Sequence, residues 1–114
     1  MLAELLTDHP KILAECAIAE RLRRRPGIEL HPTLFHTPMI YASGEEQRVL
    51  TSLYEDYITT ASEANLPLLL TAPTWRLDAA RVAEAGAPKT INRDAVAFLS
   101  GVRDAFVDLS LIHI

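Results

Sequence analysis

Hydrophobic residues in this chain form short apolar runs and longer repeats at three- and four-residue steps. The clearest run lies in residues 67–76, where three consecutive leucines at 68–70 fit a strand covered on both faces, as in parallel sheets. Pro73 restricts the residue before it to extended conformations, so this strand ends in a shaped loop. A second run, residues 11–15, closes on an acid and precedes a segment rich in helix formers at 16–24. We expect a strand and a helix there.

The strongest helical pattern follows Ser43. Apolar side chains recur at helical steps at Leu50, Leu53, Tyr54, Tyr57, Ile58 and Ala61. Ser43 and Glu46 have the spacing of a capping box, in which each side chain bonds a free backbone amide of the first turn. Tyr54 and Tyr57 lie on the apolar stripe, so we interpret them as core residues. Asn65-Leu66-Pro67 is expected to end this helix.

Two further helices are predicted near the C-terminus. Asp78 can cap a short helix over residues 79–85 that stops at Gly86. Asn92 can cap another, with an apolar face formed by Val96, Leu99, Val102 and Phe106. Strands separated by a helical crossover are typical of parallel βαβ architecture, which indicates an α/β fold. Because a two-stranded parallel sheet has little stability alone, the pattern resembles the opening portion of a larger fold.

Composition agrees with a single globular domain and narrows the functional classes. The chain has 114 residues, 23% of them charged, and a net charge of −4, which does not favour nucleic-acid binding. Its single cysteine, Cys16, forms no internal disulfide and suits a reducing compartment. The N-terminus carries acids rather than the bases of a signal peptide, and no apolar run approaches the roughly 20 residues that span a bilayer. We therefore predict a cytoplasmic protein without membrane contact.

The loop at residues 26–42 holds two of the four histidines, His31 and His36, and three of the seven prolines. Their spacing matches no standard metal-binding pattern, so we interpret both histidines as solvated or packed. The basic residues 21–25 lie at a helix C-terminus, where cations complement the helix dipole. We give them that role rather than that of a phosphate site.

Candidate ligand contacts follow from the strand order. Parallel strands end on the same side of a sheet, so Glu15 and the loop at 71–76 should emerge on one face. The candidate binding residues are Glu15, Thr71, Thr74, Trp75 and Arg76. A structural interpretation stands beside this one: Glu15 at a helix start, Thr74 as a cap and Trp75 in packing. Pattern alone does not decide between the two.

A family resemblance favours the binding interpretation. Residues 69–76 read Leu-Leu-Thr-Ala-Pro-Thr-Trp-Arg, a helical segment follows at 79–86, and residues 91–96 begin Ile-Asn. Residues 15–22 read Glu-Cys-Ala-Ile-Ala-Glu-Arg-Leu. In this order and spacing the segments resemble the early part of homocysteine S-methyltransferases, whose first-strand motif reads Asp-Gly-Ala-x-Gly-Thr-Glu-Leu. The resemblance covers about residues 10–108.

The resemblance implies a fold and an activity. The fold is the first two strand–helix units of a (β/α)8 TIM barrel, truncated and rich in helix. The activity is zinc-dependent transfer of a methyl group from a small-molecule donor to the thiol of homocysteine, an amino-acid thiol, which gives methionine. In the family three late cysteines hold Zn²⁺, which makes the thiol a nucleophilic thiolate. None of these ligands has a counterpart here, so the resemblance implies an inactive chain with no metal ligands and no catalytic residues.

This chain also departs from the family motif. Glu15 stands where the family has an aspartate that helps hold the homocysteine amino group, and its carboxylate reaches one methylene further. Cys16 and Ala19 replace the two glycines of the motif, and Glu20-Arg21 replaces its Thr-Glu. Close backbone approach to a ligand is therefore expected to differ. These differences indicate a divergent subgroup whose substrate need not be homocysteine.

The domain prediction places the N-terminal portion of a homocysteine-binding barrel at residues 1–108. Residues 109–114 leave the family pattern and resemble the translation of a sequencing adapter, so we predict a non-native tail on a truncated gene product. Alternatively these residues form a genuine strand, which Leu111, Ile112 and Ile114 would suit. The other functional class is a self-contained helical interaction module without catalysis, in which the apolar faces at 50–61 and 96–106 pack together or bind a partner.

Overall fold

Helices make up most of the computed structural model, which describes residues 2–106 and the strand residues 112 and 113. The helices are α1 (Leu2–Asp8), α2 (Ile18–Arg23), α3 (Glu45–Glu63), α4 (Ala79–Glu84) and α5 (Ile91–Asp104), with a 3₁₀ helix at Thr37–Tyr41. The strands are β1 (Leu13–Ala14), β2 (Leu68–Leu69) and β3 (Ile112–His113). Strands and helices therefore alternate over much of the chain.

The strands form a parallel sheet in the order β1-β2-β3. Leu13 pairs with Leu68 and Leu68 with Ile112, which confirms the predicted parallel pairing of the two leucine-containing strands. β3 lies inside the segment 109–114, and its pairing agrees with the alternative in which that segment forms a strand. Its origin outside the native gene stays a prediction. The described strands form an open sheet, and the (β/α)8 barrel likewise stays a prediction.

The two faces of this sheet differ in burial. Leu68 and Leu70 are 1% and 2% exposed and join the core, whereas Leu69 between them is only partly buried. Ala14, the register partner of Leu69, is exposed. Among the described residues, helices thus cover one face of the sheet and leave the other accessible. The expected strand covered on both faces is wrong for this part of the chain.

The core is built around α3. Its buried side chains are Val49, Leu50, Leu53, Tyr54, Ile58 and Ala61. The helix α5 packs against α3 and buries Ile91, Ala95, Leu99 and Val102. Val96, predicted on this buried face, is 46% exposed. The prediction was wrong for Val96 because the buried stripe of α5 starts at Ile91 and follows four-residue steps through Ala95 and Leu99.

The helix starts agree only partly with the sequence prediction. Asp78 caps α4 as predicted, since its carboxylate accepts the Arg81 N–H at 2.8 Å. The capping box at Ser43 is wrong, because Gly44 precedes the first residue of α3 with a φ of 79°. This backbone conformation suits glycine and places Ser43 outside the helix start. Asn92 does not cap α5 but lies within it, and Thr90 occupies the cap position.

The N-terminal helix α1 was not predicted. It buries Leu5, while Leu2 and Leu6 are 45% and 59% exposed. Within the described ranges, no helix combines the length and the apolar composition that crossing a membrane requires.

Leu99→Ala is expected to destabilise the fold by about 2–5 kcal/mol, because it removes a completely buried side chain between α5 and α3 and leaves a cavity. The measurement is the free energy of unfolding in urea. Val96→Ala on the same helix is the matched control and should change stability by less than about 0.5 kcal/mol. Equal losses for the two variants would contradict this packing of α5.

Candidate functional site

A cleft of about 610 Å³ lies at the carboxyl ends of β1 and β2. Its size falls within the range of small-molecule sites, roughly 300–1,000 Å³. The lining residues are Glu15, Ala17, Ile18, Ala19, Glu20, Arg23, Phe35, His36, Tyr54, Thr71, Ala72 and Trp75. They come from the end of each strand, from α2, from α3 and from the loop before the 3₁₀ helix. Most of this lining is apolar, with a few polar groups among it.

Main-chain bonds of the sheet place Glu15 in the lining of the cleft. The Leu13 N–H donates to the Pro67 carbonyl at 2.8 Å, and the Glu15 N–H donates to the Leu69 carbonyl at 3.0 Å. Glu15 is therefore the residue at which β1 leaves β2. Glu15 lines the cleft where the parallel strands end, the usual position of ligand sites in α/β sheets.

Two tyrosines on α3 hold the segments that follow the strands. The Tyr54 hydroxyl donates to the Thr71 carbonyl at 2.8 Å, beyond the end of β2. The Tyr57 hydroxyl donates to the Cys16 carbonyl, just beyond β1. Tyr54 is completely buried, which confirms its predicted core position, and Tyr57 is partly buried. Neighbouring positions on one helix thus fix both sides of the cleft.

Of the two acidic residues that line the cleft, Glu15 forms no ion pair with the described residues. Burial raises the pKa of its carboxyl, and no described lysine, arginine or histidine pairs with it. Glu20 differs, because its carboxylate bonds Arg23 at 2.7 Å and Arg24 at 2.8 Å. The hydrogen bond from Arg23 lowers the pKa of Glu20 to about 2. A cationic ligand group in the cleft would therefore find its counter-charge at Glu15.

Aromatic side chains form the rim of the cleft. Trp75 is 67% exposed, and its ring meets Phe35 edge to face with the centroids 5.1 Å apart. The Arg76 guanidinium lies 4.5 Å from the centroid of Phe35 and 5.4 Å from that of Trp75. Such cation–π contacts stabilise the relative position of the three side chains. Arg76 supports the rim from outside the cleft.

The predicted site residues are brought together only in part. Glu15, Thr71 and Trp75 line the cleft, as expected if both strands end on one side. Thr74 and Arg76 do not line it. The Thr74 hydroxyl donates to the Ala72 carbonyl of its own loop at 3.4 Å, which is a local contact.

Sequence reasoning missed the contribution of the loop at 26–42. His36, interpreted as packed or solvated, is packed, with 4% of its surface exposed, but it also lines the cleft. Burial lowers the pKa of its imidazole to about 4, so the ring is neutral at pH 7. A hydrogen bond joins this region to the segment that follows β2: the Thr37 hydroxyl donates to the Pro73 carbonyl at 2.5 Å. No motif or spacing signals this contact.

Two residues of the cleft have left-handed backbone conformations that are uncommon outside glycine. Ala17 has a φ of 62° and Phe35 a φ of 57°. Such conformations cost about 1–3 kcal/mol each and persist only where the surrounding structure enforces them. They are frequent at ligand sites, and here both lie in the lining of one cleft.

The described residues do not provide a metal centre. Among residues 2–106, no group of three or more His, Cys, Asp or Glu side chains is placed to hold a metal ion. Cys16 is exposed and lies outside the lining of the cleft.

Tyr54→Phe is expected to lower the free energy of unfolding by about 1–2 kcal/mol, because it removes a partly buried hydrogen bond made by a completely buried side chain. Urea unfolding measures the change. Tyr57→Phe removes an equivalent hydroxyl at a more exposed position, where water replaces the lost bond, so its effect should be smaller. A smaller effect for Tyr54→Phe than for Tyr57→Phe would contradict the role of Tyr54 in fixing the segment that follows β2.

Glu15→Gln is expected to raise the free energy of unfolding of the unliganded chain, relative to the wild type, more at pH 7 than at pH 4. Because burial raises the folded-state pKa of Glu15 above its ordinary value of 4.5, the folded chain binds more protons than the unfolded chain over that window. The contribution of Glu15 to stability therefore falls as the pH rises, and glutamine removes this loss. Urea unfolding of both proteins at the two pH values measures the difference.

Glu20→Gln is the control for this pH effect. The hydrogen bond from Arg23 lowers the pKa of Glu20. The effect of Glu20→Gln on the free energy of unfolding should therefore change between pH 4 and pH 7 with the opposite sign. Solvent screening at this accessible position should also make it small. The same sign for both variants would contradict the burial of Glu15.

No protein-family model, curated protein or solved structure matches this chain. The resemblance to homocysteine S-methyltransferases accordingly rests on the sequence segments quoted above, and the activity that it implies is a proposal. The contacts described for the cleft do not depend on that resemblance.

Proposed function

We propose that the cleft binds a homocysteine-like amino acid and that Glu15 holds its ammonium group. One observation carries this proposal: a partly buried carboxylate, unpaired among the described residues, lies at the carboxyl ends of two parallel strands. A ligand ammonium would supply the missing opposite charge, and a hydrogen-bonded charge pair of this kind is stronger than a neutral hydrogen bond.

The rest of the lining suits the carbon chain of such a ligand. Ala17, Ile18 and Ala72 present small or aliphatic surfaces, and Trp75 offers a broad aromatic face. Small-molecule sites commonly combine a mostly apolar wall with a few well-placed polar groups. The cleft has that composition, with Glu15 as the charged group.

The proposed role is amino-acid binding within a methyltransferase of the homocysteine type, without methyl transfer by this chain alone. The zinc that the family resemblance implies would need several thiolate or imidazole ligands. The described residues do not fit it, because they contain no suitable group of three, and the whole sequence has one cysteine. Binding the amino acid is the part of the activity that these residues can perform.

A second candidate function is the helical interaction module. The packing of α5 on α3 favours it, since the apolar faces predicted to meet each other do so within the chain. Cooperative unfolding of a monomer by calorimetry, without binding of any amino acid, would support this candidate over the first.

L-homocysteine is expected to bind the chain more tightly than 4-mercaptobutanoate, which has the same thiol and carboxylate but no amino group. Glu15→Gln should weaken homocysteine binding by about tenfold or more and remove the preference, because the ammonium loses its counter-charge. Trp75, the single tryptophan, lies in the cleft and makes intrinsic fluorescence the measurement.

Glu20→Gln is the matched control for binding, since it makes the same change in net charge within the same cleft. It should alter homocysteine affinity by less than about threefold, because Arg23 and Arg24 already engage that carboxylate. Equal losses for the two variants would assign the effect to general electrostatics and overturn the role of Glu15.

A further inference from the structure

Trp75 presents an uncovered aromatic surface at the wall of the cleft. The side chain is 67% exposed, although the large aromatic side chains of folded proteins usually bury most of their area. Trp75 and Phe35 both line the cleft, and their rings pack edge to face with the centroids 5.1 Å apart. A molecule in the cleft can therefore reach an indole ring that the described residues leave largely uncovered.

The two aromatic side chains are held in place by contacts from outside the cleft. The Arg76 guanidinium lies 4.5 Å from the centroid of Phe35 and 5.4 Å from that of Trp75, and Arg76 is not among the lining residues. Two main-chain hydrogen bonds of 2.9 Å fix the backbone at Phe35 within its own loop. The Thr37 hydroxyl joins that loop to Pro73, just before Trp75. An aromatic surface fixed in this way loses little conformational freedom when a ligand binds.

The charge of Arg76 selects the kind of group that the rings can accept. A cation over an aromatic ring is attracted by the negative face of that ring. Because Arg76 already supplies a cation to both rings, a ligand ammonium against the same rings would be repelled by the guanidinium. An uncharged planar ring meets no such repulsion, and stacked or edge-to-face aromatic pairs contribute beyond the area that they bury. The aromatic wall therefore favours a neutral ring over an ammonium group.

The remaining features of the cleft suit a ligand that carries both a ring and a cation. The volume of about 610 Å³ is larger than a four-carbon amino acid fills and lies in the range of sites for drug-sized molecules. Glu15 offers its unpaired carboxylate in the same lining, away from the charge of Arg76. One ligand can thus place its cation and its ring on different residues.

We propose that Trp75 is a ligand-binding residue that stacks on an uncharged aromatic ring of a small molecule in the cleft. For the rest of the ligand this extension rests on the proposed function, in which Glu15 holds an ammonium group. The preferred ligand is then an amino compound with an aromatic side chain rather than an aliphatic amino-acid thiol.

L-phenylalanine and L-cyclohexylalanine test this proposal, because they share one carbon skeleton and the same charges and differ in an aromatic against a saturated ring. The wild-type chain should bind phenylalanine at least about threefold more tightly, as measured by isothermal titration calorimetry. Apolar burial alone predicts the reverse order, since the saturated ring is the more apolar of the two.

Substitutions of Trp75 should remove this preference in a graded way. Trp75→Leu should abolish it and leave the affinity for cyclohexylalanine within about threefold, whereas Trp75→Phe keeps a ring and should retain part of it. Tyr41→Leu is the matched control, because Tyr41 is also exposed but does not line the cleft. It should leave the preference unchanged.

Two outcomes would overturn the proposal. One is a wild-type chain that binds the two amino acids equally or prefers cyclohexylalanine, and the other is a preference for phenylalanine that Trp75→Leu leaves intact. If Trp75→Leu does not fold, the aromatic proton resonances of Trp75 in the wild-type chain decide. The ring current of a stacked phenylalanine should move them upfield, and an equal movement with cyclohexylalanine contradicts stacking.

The proposed function and the role of Trp75 fail separately. 3-Phenylpropanoate and 3-cyclohexylpropanoate have the same rings without an amino group. If phenylalanine binds no more tightly than 3-phenylpropanoate, the role of Glu15 fails, whereas a preference for the phenyl acid that Trp75→Leu abolishes still supports stacking. If homocysteine binds through its amino group but neither phenyl compound binds better than its cyclohexyl counterpart, the proposed function holds and the role of Trp75 is overturned. Absence of binding by all four ring compounds also overturns it.

Discussion

The cleft depends on hydrogen bonds that α3 makes with the ends of two strands. A strand of two residues contributes few main-chain bonds, so such a sheet cannot by itself fix the segments that leave it. Tyr54 and Tyr57 supply the missing restraint, because each donates a hydroxyl to a carbonyl just past β2 or β1. The core side of α3 is in turn packed by α5. The position of Glu15 relative to Thr71 is therefore set by the helix together with the few main-chain bonds of the sheet.

The sequence predicted the parts of this arrangement that follow from local patterns. Helical periodicity identified α3, and the apolar runs identified β1 and β2, whose parallel pairing placed Glu15 and Thr71 on one side. Asp78 was recognised as a cap because its bond to Arg81 is local. The start of α3 was missed because Ser43 and Gly44 are both acceptable before a helix. The positive φ of Gly44 decides between them.

The remainder of the cleft could not be predicted because it arises from contacts between distant segments. His36 has the same local surroundings as any loop histidine. In the folded chain it is buried, and the neighbouring Thr37 bonds the distant Pro73. Arg76 was expected to contact a ligand because it follows the strand, and nothing in its spacing indicated the cation–π contacts that it makes with Phe35 and Trp75. At these positions the burial and the contacts of the side chain depend on the tertiary structure, and the spacing of residues in the sequence does not indicate them.

The left-handed conformations at Ala17 and Phe35 have a consequence for the order in which the chain folds. Each is unfavourable for an isolated segment, so neither turn is populated until the contacts that enforce it exist. Phe35 exchanges backbone hydrogen bonds with His31 and also contacts Trp75 and Arg76, which lie beyond α3 in the chain. Helix formation alone therefore does not define the wall of the cleft at Phe35, which also requires the segment that follows α3 to be in place.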